Sequence, residues 1–452
     1  MNQGLTIVPP PVVGEALRRL EARGFQAWCV GGCVRDSLLG KAPSDWDIAT
    51  SALPQETKAC FAGERLVEAG AAHGTIAWVP SGGHPIEITT FRSDGAYTDG
   101  RHPDSVAFSR RLEDDLSRRD FTVNAMAWHP QRGLVDLFHG QEDLSAGLLR
   151  CVGEPARRFS EDALRILRCL RFSSQLGFAI HPDTAQALWE KRELLLALSH
   201  ERVREELTKL LCGQGAAAVL RQYAAVVFTV LPELAPMKGC AQETPYHCFD
   251  VWEHTLHAVD YAPQQGDLRW AALLHDAGKP GRKTRSADGV AHFYGHPPES
   301  GRIARQLLTR LRFSNKERDW IAALVDHHED AMPMGEAHLK GLLGRYGERF
   351  VFTLFQLQEA DMSAKAPGVF ERRLPDLEES RALARAILER GDCLTLGDMA
   401  LTGEDLKALG VAPGPEMGKL LRRLLEAVQR GEAANTPAAL GELAKRLLER
   451  GL

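Results

Sequence analysis

The most constraining feature of the chain is a pair of glycines followed by two spaced aspartates. The short apolar run Ala27–Val30 predicts a buried strand, and Gly31 and Gly32 predict a tight turn into a following helix. Backbone N–H groups at such a turn approach a phosphate closely. Asp45 and Asp47 are two residues apart, so a strand would place both carboxylates on one face. The stretch predicts a divalent metal held against a triphosphate, although a solvated turn is the alternative for Asp-x-Asp alone.

Length, charge and cysteine usage narrow the class of protein. A chain of 452 residues predicts two to four domains. The net charge of −5 means that any nucleic-acid surface is a local basic patch. The nine cysteines form no C-x-x-C pair, which favours reduced thiols and a cytoplasmic location. We also expect no signal peptide and no membrane span, because no suitable apolar run is present.

Hydrophobic patterning separates the chain into a front part with strands and a helical remainder. From about Leu144 onward almost no strand pattern is found. We therefore predict an α+β fold, in which a small mixed sheet with flanking helices precedes an all-α body. The predicted elements of the front part are helices over 12–23 and 54–61 and strands over 66–67, 75–79 and 86–90.

A third carboxylate, Glu87, lies on the last of these strands. Because two-metal phosphoryl transfer often uses a further acidic ligand, Glu87 is a candidate for the same site as the two aspartates. An ion pair with Arg92 at the edge of the sheet is the alternative.

An arginine pair precedes an apolar stretch that we predict to be a helix. Arg119 offers a guanidinium that can bind a triphosphate oxygen in bidentate geometry. We expect Asp120 to cap the helix and Asn124 to make a buried structural hydrogen bond. Taken alone, Arg-Arg-Asp is equally typical of a charged surface.

A second charged motif has a spacing of three residues. That spacing predicts one helix side carrying Asp162, Arg165, Arg168 and Arg171. An aspartate beside an arginine offers acceptors and fixed donors, which can read the hydrogen-bonding edge of a base. A ladder of surface ion pairs is the alternative, and each such pair stabilises a helix by only ~0.3–0.5 kcal/mol.

The middle of the chain is rich in histidine, with nine of the 16 histidines between His247 and His338. Neutral imidazole and carboxylate are ligands of divalent transition metals. The candidate ligands are His254, the His275-Asp276 pair and Asp361, with His296 and His328 as additional ligands or phosphate contacts.

These motifs together resemble the class II nucleotidyltransferases, the family of CCA-adding enzymes and bacterial poly(A) polymerases. The resemblance implies a Mg²⁺-dependent nucleotidyltransferase head in which Asp45, Asp47 and Glu87 are catalytic. It further implies that Gly31, Gly32, Arg35 and Arg119 bind the phosphates, that Asp162 and Arg165 select CTP and ATP, and that Arg168 and Arg171 line the site or neutralise phosphate. It also implies a flexible loop over 93–106, a supporting helix over 199–211 behind the pocket, and a tRNA 3′ end as the acceptor.

The histidine-rich segment resembles the HD phosphohydrolase domain, which implies a second divalent metal site and a possible phosphatase or cyclic phosphodiesterase activity. The C-terminal tail resembles the RNA-binding region of the first family, with Lys419, Arg422 and Arg423 on a basic side of a helix. The alternative is that these residues only form the solvent-exposed face of an amphipathic helix. The implied regions are a head over 1–143, a helical neck over 144–235, an HD-type domain over 236–375 and a tRNA-binding tail over 376–452, the helical part forming an elongated body.

Several alternatives remain open at this point, including an enzyme that adds only the two Cs and a non-catalytic RNA-binding protein. An enzyme that adds only the final A is one, and a poly(A) polymerase is another, although the stretch Glu64-Arg65-Leu66-Val67 lacks the basic run common in that branch. A metal-dependent phosphohydrolase acting on RNA ends is a further alternative. The sequence is compatible with a monomer or a homodimer.

Overall fold

The computed structural model describes residues 7–94 and 106–450. The chain divides into two compact units, Met1–Val230 and Leu231–Leu452. The four-region division drawn from the sequence stays a prediction, and so does the role of the loop over 93–106, most of which lies outside the described residues.

The first unit combines strands and helices. Its strands are β1 (Ala27–Val30), β2 (Asp47–Thr50), β3 (Arg65–Val67), β4 (Thr75–Val79), β5 (Ile86–Thr90), β6 (Arg92–Asp94), β7 (Val106–Phe108), β8 (Met126–His129), β9 (Gly133–Asp136), β10 (Leu148–Leu149) and β11 (Ala179–Ile180). Its helices are α1 (Pro11–Glu21), α2 (Gly32–Leu38), α3 (Pro54–Cys60), α4 (Leu112–Ser117), α5 (Gly140–Ala146), α6 (Pro155–Glu161), α7 (Leu164–Leu176), α8 (Pro182–Lys191), α9 (His200–Leu211), α10 (Ala216–Gln222) and α11 (Ala224–Val230).

A mixed sheet of seven strands, in the order β3-β4-β5-β2-β1-β8-β9, forms the centre of the head. The pairing of β2 with β5 is parallel and sets Asp47 opposite Glu87, whereas the other pairs are antiparallel. All four residues of β1 are buried, as expected of a central apolar strand. The α+β fold with a mixed sheet in the head is therefore confirmed.

The stretch after Arg119 differs from its prediction. Instead of a helix, a 3₁₀ turn over Thr122–Asn124 leads into strand β8, which pairs with β1. A short, continuously apolar run does not distinguish a buried strand from a buried helix, and here strand pairing decides.

The second unit is helical apart from one small hairpin, β12 (Thr284–Arg285) with β13 (Ala291–His292). Its helices are α12 (Val251–Tyr261), α13 (Gly266–Leu274), α14 (Lys279–Arg282), α15 (His296–Arg310), α16 (Asn315–His327), α17 (Glu336–Tyr346), α18 (Glu348–Ser363), α19 (Val369–Arg390), α20 (Gly403–Ala408), α21 (Pro415–Gln429) and α22 (Pro437–Glu449). Among the described residues, no helix has the length and apolar character needed to cross a bilayer.

Helix α21 is amphipathic and buries Leu420 and Leu424 in a small apolar cluster near the end of the chain. Lys419, Arg422 and Arg423 lie on its exposed side, where Lys419 pairs with Glu416. The basic side predicted from the sequence is thus solvent-facing, and its role in RNA binding stays a prediction.

Candidate active site and metal cluster

The glycine turn after β1 forms one wall of a cleft of about 470 Å³ in the first unit. Gly31 has a φ of 78°, and a Cβ at this position would lie 2.9 Å from Nη1 of Arg119. The backbone conformation therefore favours glycine, whereas the Arg119 guanidinium, as the far end of a flexible side chain, can shift to admit a Cβ. The lining residues are Gly31, Gly32, Cys33, Arg35, Asp36, Ser44, Asp45, Asp47, Arg118, Arg119, Asp120, Asn124, Asp162, Leu164, Arg165, Arg168, Phe172 and Arg202.

Two carboxylates, Asp45 and Asp47, line the β2 end of the cleft, and a third, Glu87, lies opposite Asp47 on β5. Asp47 is the first residue of β2, while Asp45 precedes the strand and is exposed. Burial, together with the charges of Glu87 and Asp45, raises the pKa of Asp47 to about 6. A raised carboxyl pKa of this origin marks a place where a cation is favourable, so the donor set fits Mg²⁺. Glu87 is exposed on β5 and is not among the residues that line the cleft within the described part of the chain.

Arg119 is held beside the glycine turn by a buried carboxylate. Asp115 accepts hydrogen bonds from Arg119 at 2.9 Å and from Arg118 at 2.7 Å. Burial alone would raise the pKa of Asp115, but the two guanidinium charges outweigh it and the pKa is lowered. The arginine pair is thus fixed in place with its charge directed to the cleft.

A relay of hydrogen bonds joins the glycine turn to helix α7. Arg35 donates to Oδ1 of Asn124 at 2.7 Å, Asn124 donates to Asp120 at 3.2 Å, and Arg168 donates to Asp120 at 2.6 and 2.8 Å. Burial alone would raise the pKa of Asp120, but the charge and hydrogen bonds of Arg168 lower it to about 2. The buried hydrogen bond predicted for Asn124 is present.

The helix-capping role predicted for Asp120 was wrong, and the site role predicted for Arg171 stays a prediction. Asp120 does not cap a helix, because Phe121 occupies the cap position without a side-chain bond, and Asp120 instead binds Arg168. Arg171 is not among the cleft-lining residues of the described chain, since its guanidinium pairs with Glu206 of α9 at 3.2 Å and stacks on Phe172.

The candidate base-reading pair lies where α6 ends and α7 begins. Asp162 has extended backbone (φ −141°) and is not on the helix side predicted for it, since α7 begins at Leu164. Its carboxylate accepts a bond from the Leu164 N–H at 3.0 Å and lies 3.4 Å from Arg202. Arg165 donates to the Arg118 carbonyl at 2.9 Å and to Glu161 at 3.0 Å. A guanidinium has more N–H donors than these contacts use, so Arg165 keeps donors for a base edge.

In the second unit, four histidines and two aspartates converge in the interior. His254, His275, Asp276, His296 and His328 are at most 3% exposed, and Asp361 is 5% exposed. His254, His275 and Asp361 form one group of close donor atoms, and Asp276, His296 and His328 form another.

Asp276 connects the two groups through its two oxygens. Oδ2 lies 3.2 Å from Nε2 of His275 and 3.4 Å from Nε2 of His254, whereas Oδ1 lies 3.2 Å from Nε2 of His296. Neither oxygen has a well-aligned hydrogen bond among the described residues, although Lys279 Nζ lies 2.7 Å from Oδ2. Buried carboxylate oxygens without such bonds, facing imidazole nitrogens, fit divalent metal.

The four imidazoles are oriented by the backbone. Nδ1 of His254, His275, His296 and His328 bonds to the carbonyls of Ala364, Ala272, Phe293 and Val325, at 3.1, 2.8, 2.9 and 2.7 Å. This leaves each Nε2 directed at the carboxylates, which is the orientation of a metal-binding histidine. Burial alone would lower the pKa of His275, yet Asp276 and Asp361 raise it to about 10, so a bound metal displaces a proton.

Comparison with known proteins identifies the family. The chain is 35% identical over 431 residues to a CCA-adding enzyme of Lactobacillus delbrueckii subsp. bulgaricus, covering 94% of this chain and 95% of that protein. The chain belongs to the CCA-adding enzymes. A CCA-adding enzyme of Levilactobacillus brevis is 36% identical, with 94% of each chain covered.

Family descriptions and solved structures agree with this assignment. Residues 27–150 match the poly A polymerase head domain, residues 177–237 the RNA and SrmB-binding site of polymerase A, and residues 298–444 the tRNA nucleotidyltransferase domain 2. The crystal structure of the Bacillus stearothermophilus CCA-adding enzyme in complex with CTP superposes with a TM-score of 0.75 at 31% identity, covering 98% of this chain and all of that one. CCA-adding enzymes are nucleotidyltransferases, so the transferase activity predicted for this chain is confirmed.

Within this CCA-adding enzyme, several residues that line the cleft were not predicted from the sequence, and Arg202 is one of them. Arg202 of α9 lines the cleft and faces Asp162, and its Nη1 is buried without a hydrogen bond among the described residues. The helix was predicted only to support the pocket from behind. Arg202 could not be picked out from the sequence, because a single arginine on an amphipathic helix is typical of its solvent-exposed face.

Proposed function

We propose that this chain adds C, C and A to the 3′ end of tRNA, taking the nucleotides from CTP and ATP without a template and with Mg²⁺. The observation that carries the proposal is the cleft itself. Carboxylates suited to metal, guanidinium groups suited to phosphate, and the pair Asp162 and Arg165 all line this one cavity. Such a cavity suits a nucleoside triphosphate whose base and phosphates are both recognised by protein.

Asp45 and Asp47 are the proposed ligands of Mg²⁺, with Glu87 contributing charge from the neighbouring strand. Held by these carboxylates, Mg²⁺ would supply Lewis-acid activation of the attacking hydroxyl and charge neutralisation of the triphosphate. Gly31, Gly32, Arg35 and Arg119 bind and orient the phosphates.

Asp162 and Arg165 are proposed to select the base. Cytosine and adenine each present an amino group beside a ring-nitrogen acceptor, and a carboxylate with an adjacent guanidinium matches that pattern. Uracil and guanine present a carbonyl and an N–H in those positions, so they leave both protein groups unmatched. Arg168 has its charge compensated by Asp120, so we assign it to holding this pair in place.

The test uses tRNA trimmed of its 3′ end, supplied with CTP alone, ATP alone or both. Two additions with CTP alone and a third when ATP is present support complete CCA addition. Addition of A to a CC-ending tRNA, with no addition of C to the trimmed tRNA, identifies the A-adding alternative. Long A tracts identify a poly(A) polymerase. We also propose a cytoplasmic location, because tRNA is the proposed acceptor.

A second proposed activity is metal-dependent phosphohydrolysis at the buried cluster of the second unit. The observation that favours it is the convergence of four imidazole nitrogens on two carboxylates, next to a cleft of about 420 Å³ lined by His328 and Asp361. Lys365, Arg372 and Arg373 also line this cleft and offer positive charge to a phosphate ester.

Hydrolysis of a phosphomonoester and of a 2′,3′-cyclic nucleotide, measured with added Ni²⁺, Co²⁺ or Mn²⁺, tests this activity. His275→Asn should abolish turnover and leave CTP incorporation unchanged. Turnover that persists in H275N would assign the hydrolysis to another site.

A further inference from the structure

A separate group of two histidines and one aspartate lies on the surface of the second unit. His327 is the last residue of α16, His338 lies in α17, and Asp330 lies in the segment that connects the two helices. Nδ1 of His327 and Nε2 of His338 lie 2.8 and 2.7 Å from the same carboxylate oxygen, Oδ2 of Asp330. All three donor atoms are within 4.8 Å of one another.

We propose that His327, Asp330 and His338 form a further binding site for a divalent transition metal of the Zn²⁺ type. Two imidazoles and one carboxylate are a ligand set that Zn²⁺ accepts when a fourth position stays open to water. Metal–ligand bonds of about 2.1 Å in a tetrahedron place the ligands roughly 3.4 Å apart. The donor atoms therefore need to separate by about half an ångström, which an exposed histidine on a helix permits.

The ligands are held in place by contacts on both sides. The ring of His327 packs edge-on against Tyr346 at 5.6 Å and Phe350 at 6.1 Å between ring centres. The backbone of Asp330 is fixed at both polar groups, since its N–H donates to the His327 carbonyl and its carbonyl accepts from Gln358. The site is thus largely preformed, which lowers the entropy cost of binding an ion.

The open coordination position has access to solvent. The side chains of His327 and Asp330 are about one-fifth exposed, and that of His338 is 46% exposed. Both histidines line a cleft of about 620 Å³, which is also lined by Glu426 and Arg430. An ion can therefore enter and leave without unfolding of the unit.

This site shares no ligand with the buried cluster. His328, the next residue after His327, directs its Nε2 to His296 at 3.3 Å, so two adjacent histidines serve different groups. The proposal stands independently of any hydrolytic activity of the buried cluster.

The experiment titrates the metal-free full-length protein with Co²⁺ and Zn²⁺, and measures the bound equivalents by equilibrium dialysis and the Co²⁺ visible absorption spectrum. His338→Gln should bind one equivalent fewer than the wild type and lose its contribution to the spectrum. The matched control is His257→Gln. His257 also pairs with a carboxylate, Glu253 at 3.3 Å, but it belongs to none of the candidate metal-binding groups found among the described residues.

Equal stoichiometry and spectra in H338Q and the wild type would overturn the proposed surface metal site. His327, Asp330 and His338 would then form only a cluster of ion pairs. Asp276→Asn provides the distinction from the buried cluster. It should lose the buried equivalents and keep the one that H338Q removes. Unchanged stoichiometry in D276N would count against the buried cluster alone.

Discussion

In the head cleft, the candidate metal ligands are carboxylates at the start of a strand, partly open to solvent. In the second unit, the candidate ligands are imidazoles and carboxylates enclosed by helices. Mg²⁺ keeps several waters and commonly arrives with substrate phosphates, so a few carboxylates at an open cleft suffice. A resident transition metal needs a more complete protein shell. The two sites therefore differ in which partner supplies the remaining ligands, the substrate in one case and the protein in the other.

The largest expected effect is on nucleotide incorporation. Asp47→Asn should lower CTP and ATP incorporation by about 1000-fold, because one carboxylate at the centre of the charge cluster is lost. Metal retention by the second unit should not change. The control is Glu142→Gln, on the surface of the first unit. This variant should incorporate CTP and ATP as the wild type does. Incorporation by D47N near the wild-type level would contradict the metal role.

The converse substitution tests the buried cluster. Asp276→Asn should weaken metal retention by about 100-fold or more, because this side chain faces imidazoles from both of its oxygens. Metal content after dialysis measures the effect, and incorporation of CTP serves as the internal control. Asp319→Asn, at an exposed carboxylate, should retain metal as the wild type does. Equal retention in D276N would show that the cluster is not a metal site.

A third prediction concerns the relay that joins the glycine turn to α7. Arg168→Met should destabilise the protein by about 3 kcal/mol, because it leaves the buried Asp120 carboxylate without its charge partner. The matched control is Arg157→Met, whose exposed pair with Glu161 should contribute little. Denaturant unfolding midpoints measure both. Equal unfolding midpoints for the two variants would show that the relay does not contribute to the stability of this unit.

The same relay also predicts a pH dependence. The pKa of Asp120 is about 2 in the folded protein and ordinarily about 4, so its stabilising contribution is complete above about pH 4. That contribution, about 2 kcal/mol, should be lost as the pH falls from about 4 through 2. Unfolding midpoints of the wild type and R168M should therefore converge over this range, and a constant difference would contradict the assignment.

The smallest expected effect separates two roles for Glu87. If Glu87 only raises the pKa of Asp47, Glu87→Gln should shift the acid limb of incorporation below pH 6 and leave activity at pH 8 unchanged. If it is a metal ligand, incorporation should fall by about 10-fold at both pH values. Since protonation of Asp47 competes with Mg²⁺, the wild type should need more Mg²⁺ below about pH 6. The profiles of the two proteins at several Mg²⁺ concentrations decide between these roles.

Local patterning predicted much of the head. The strands Ala27–Val30, Thr75–Val79 and Ile86–Thr90 have the predicted bounds, because β-branched and apolar runs between turns leave little ambiguity. Strand Met126–His129 was missed although it pairs locally with Gly133–Asp136, because a short apolar run does not distinguish a buried strand from a buried helix. The family resemblance implied that Arg171 lines the site or neutralises phosphate, and in the structure its guanidinium pairs with Glu206, a carboxylate from another helix.

The metal candidates illustrate the same limit. Residue type and spacing selected His254, His275, Asp276 and Asp361 from the sequence, and the structure brings all four together. The surface group around Asp330 gave no such signal. Its histidines belong to two helices whose approach is set by packing against α18, and sequence spacing does not contain that information.

The backbone carbonyls that hold the four buried imidazoles have one more consequence. Each of these rings has a backbone carbonyl that orients its Nδ1, in addition to the side chains that face its Nε2. Removal of a metal ion from this cluster by a chelator should therefore leave the second unit folded, unlike small zinc domains, which unfold without their metal. If the cluster holds a transition metal, its reloading would then require the release of protons but no refolding.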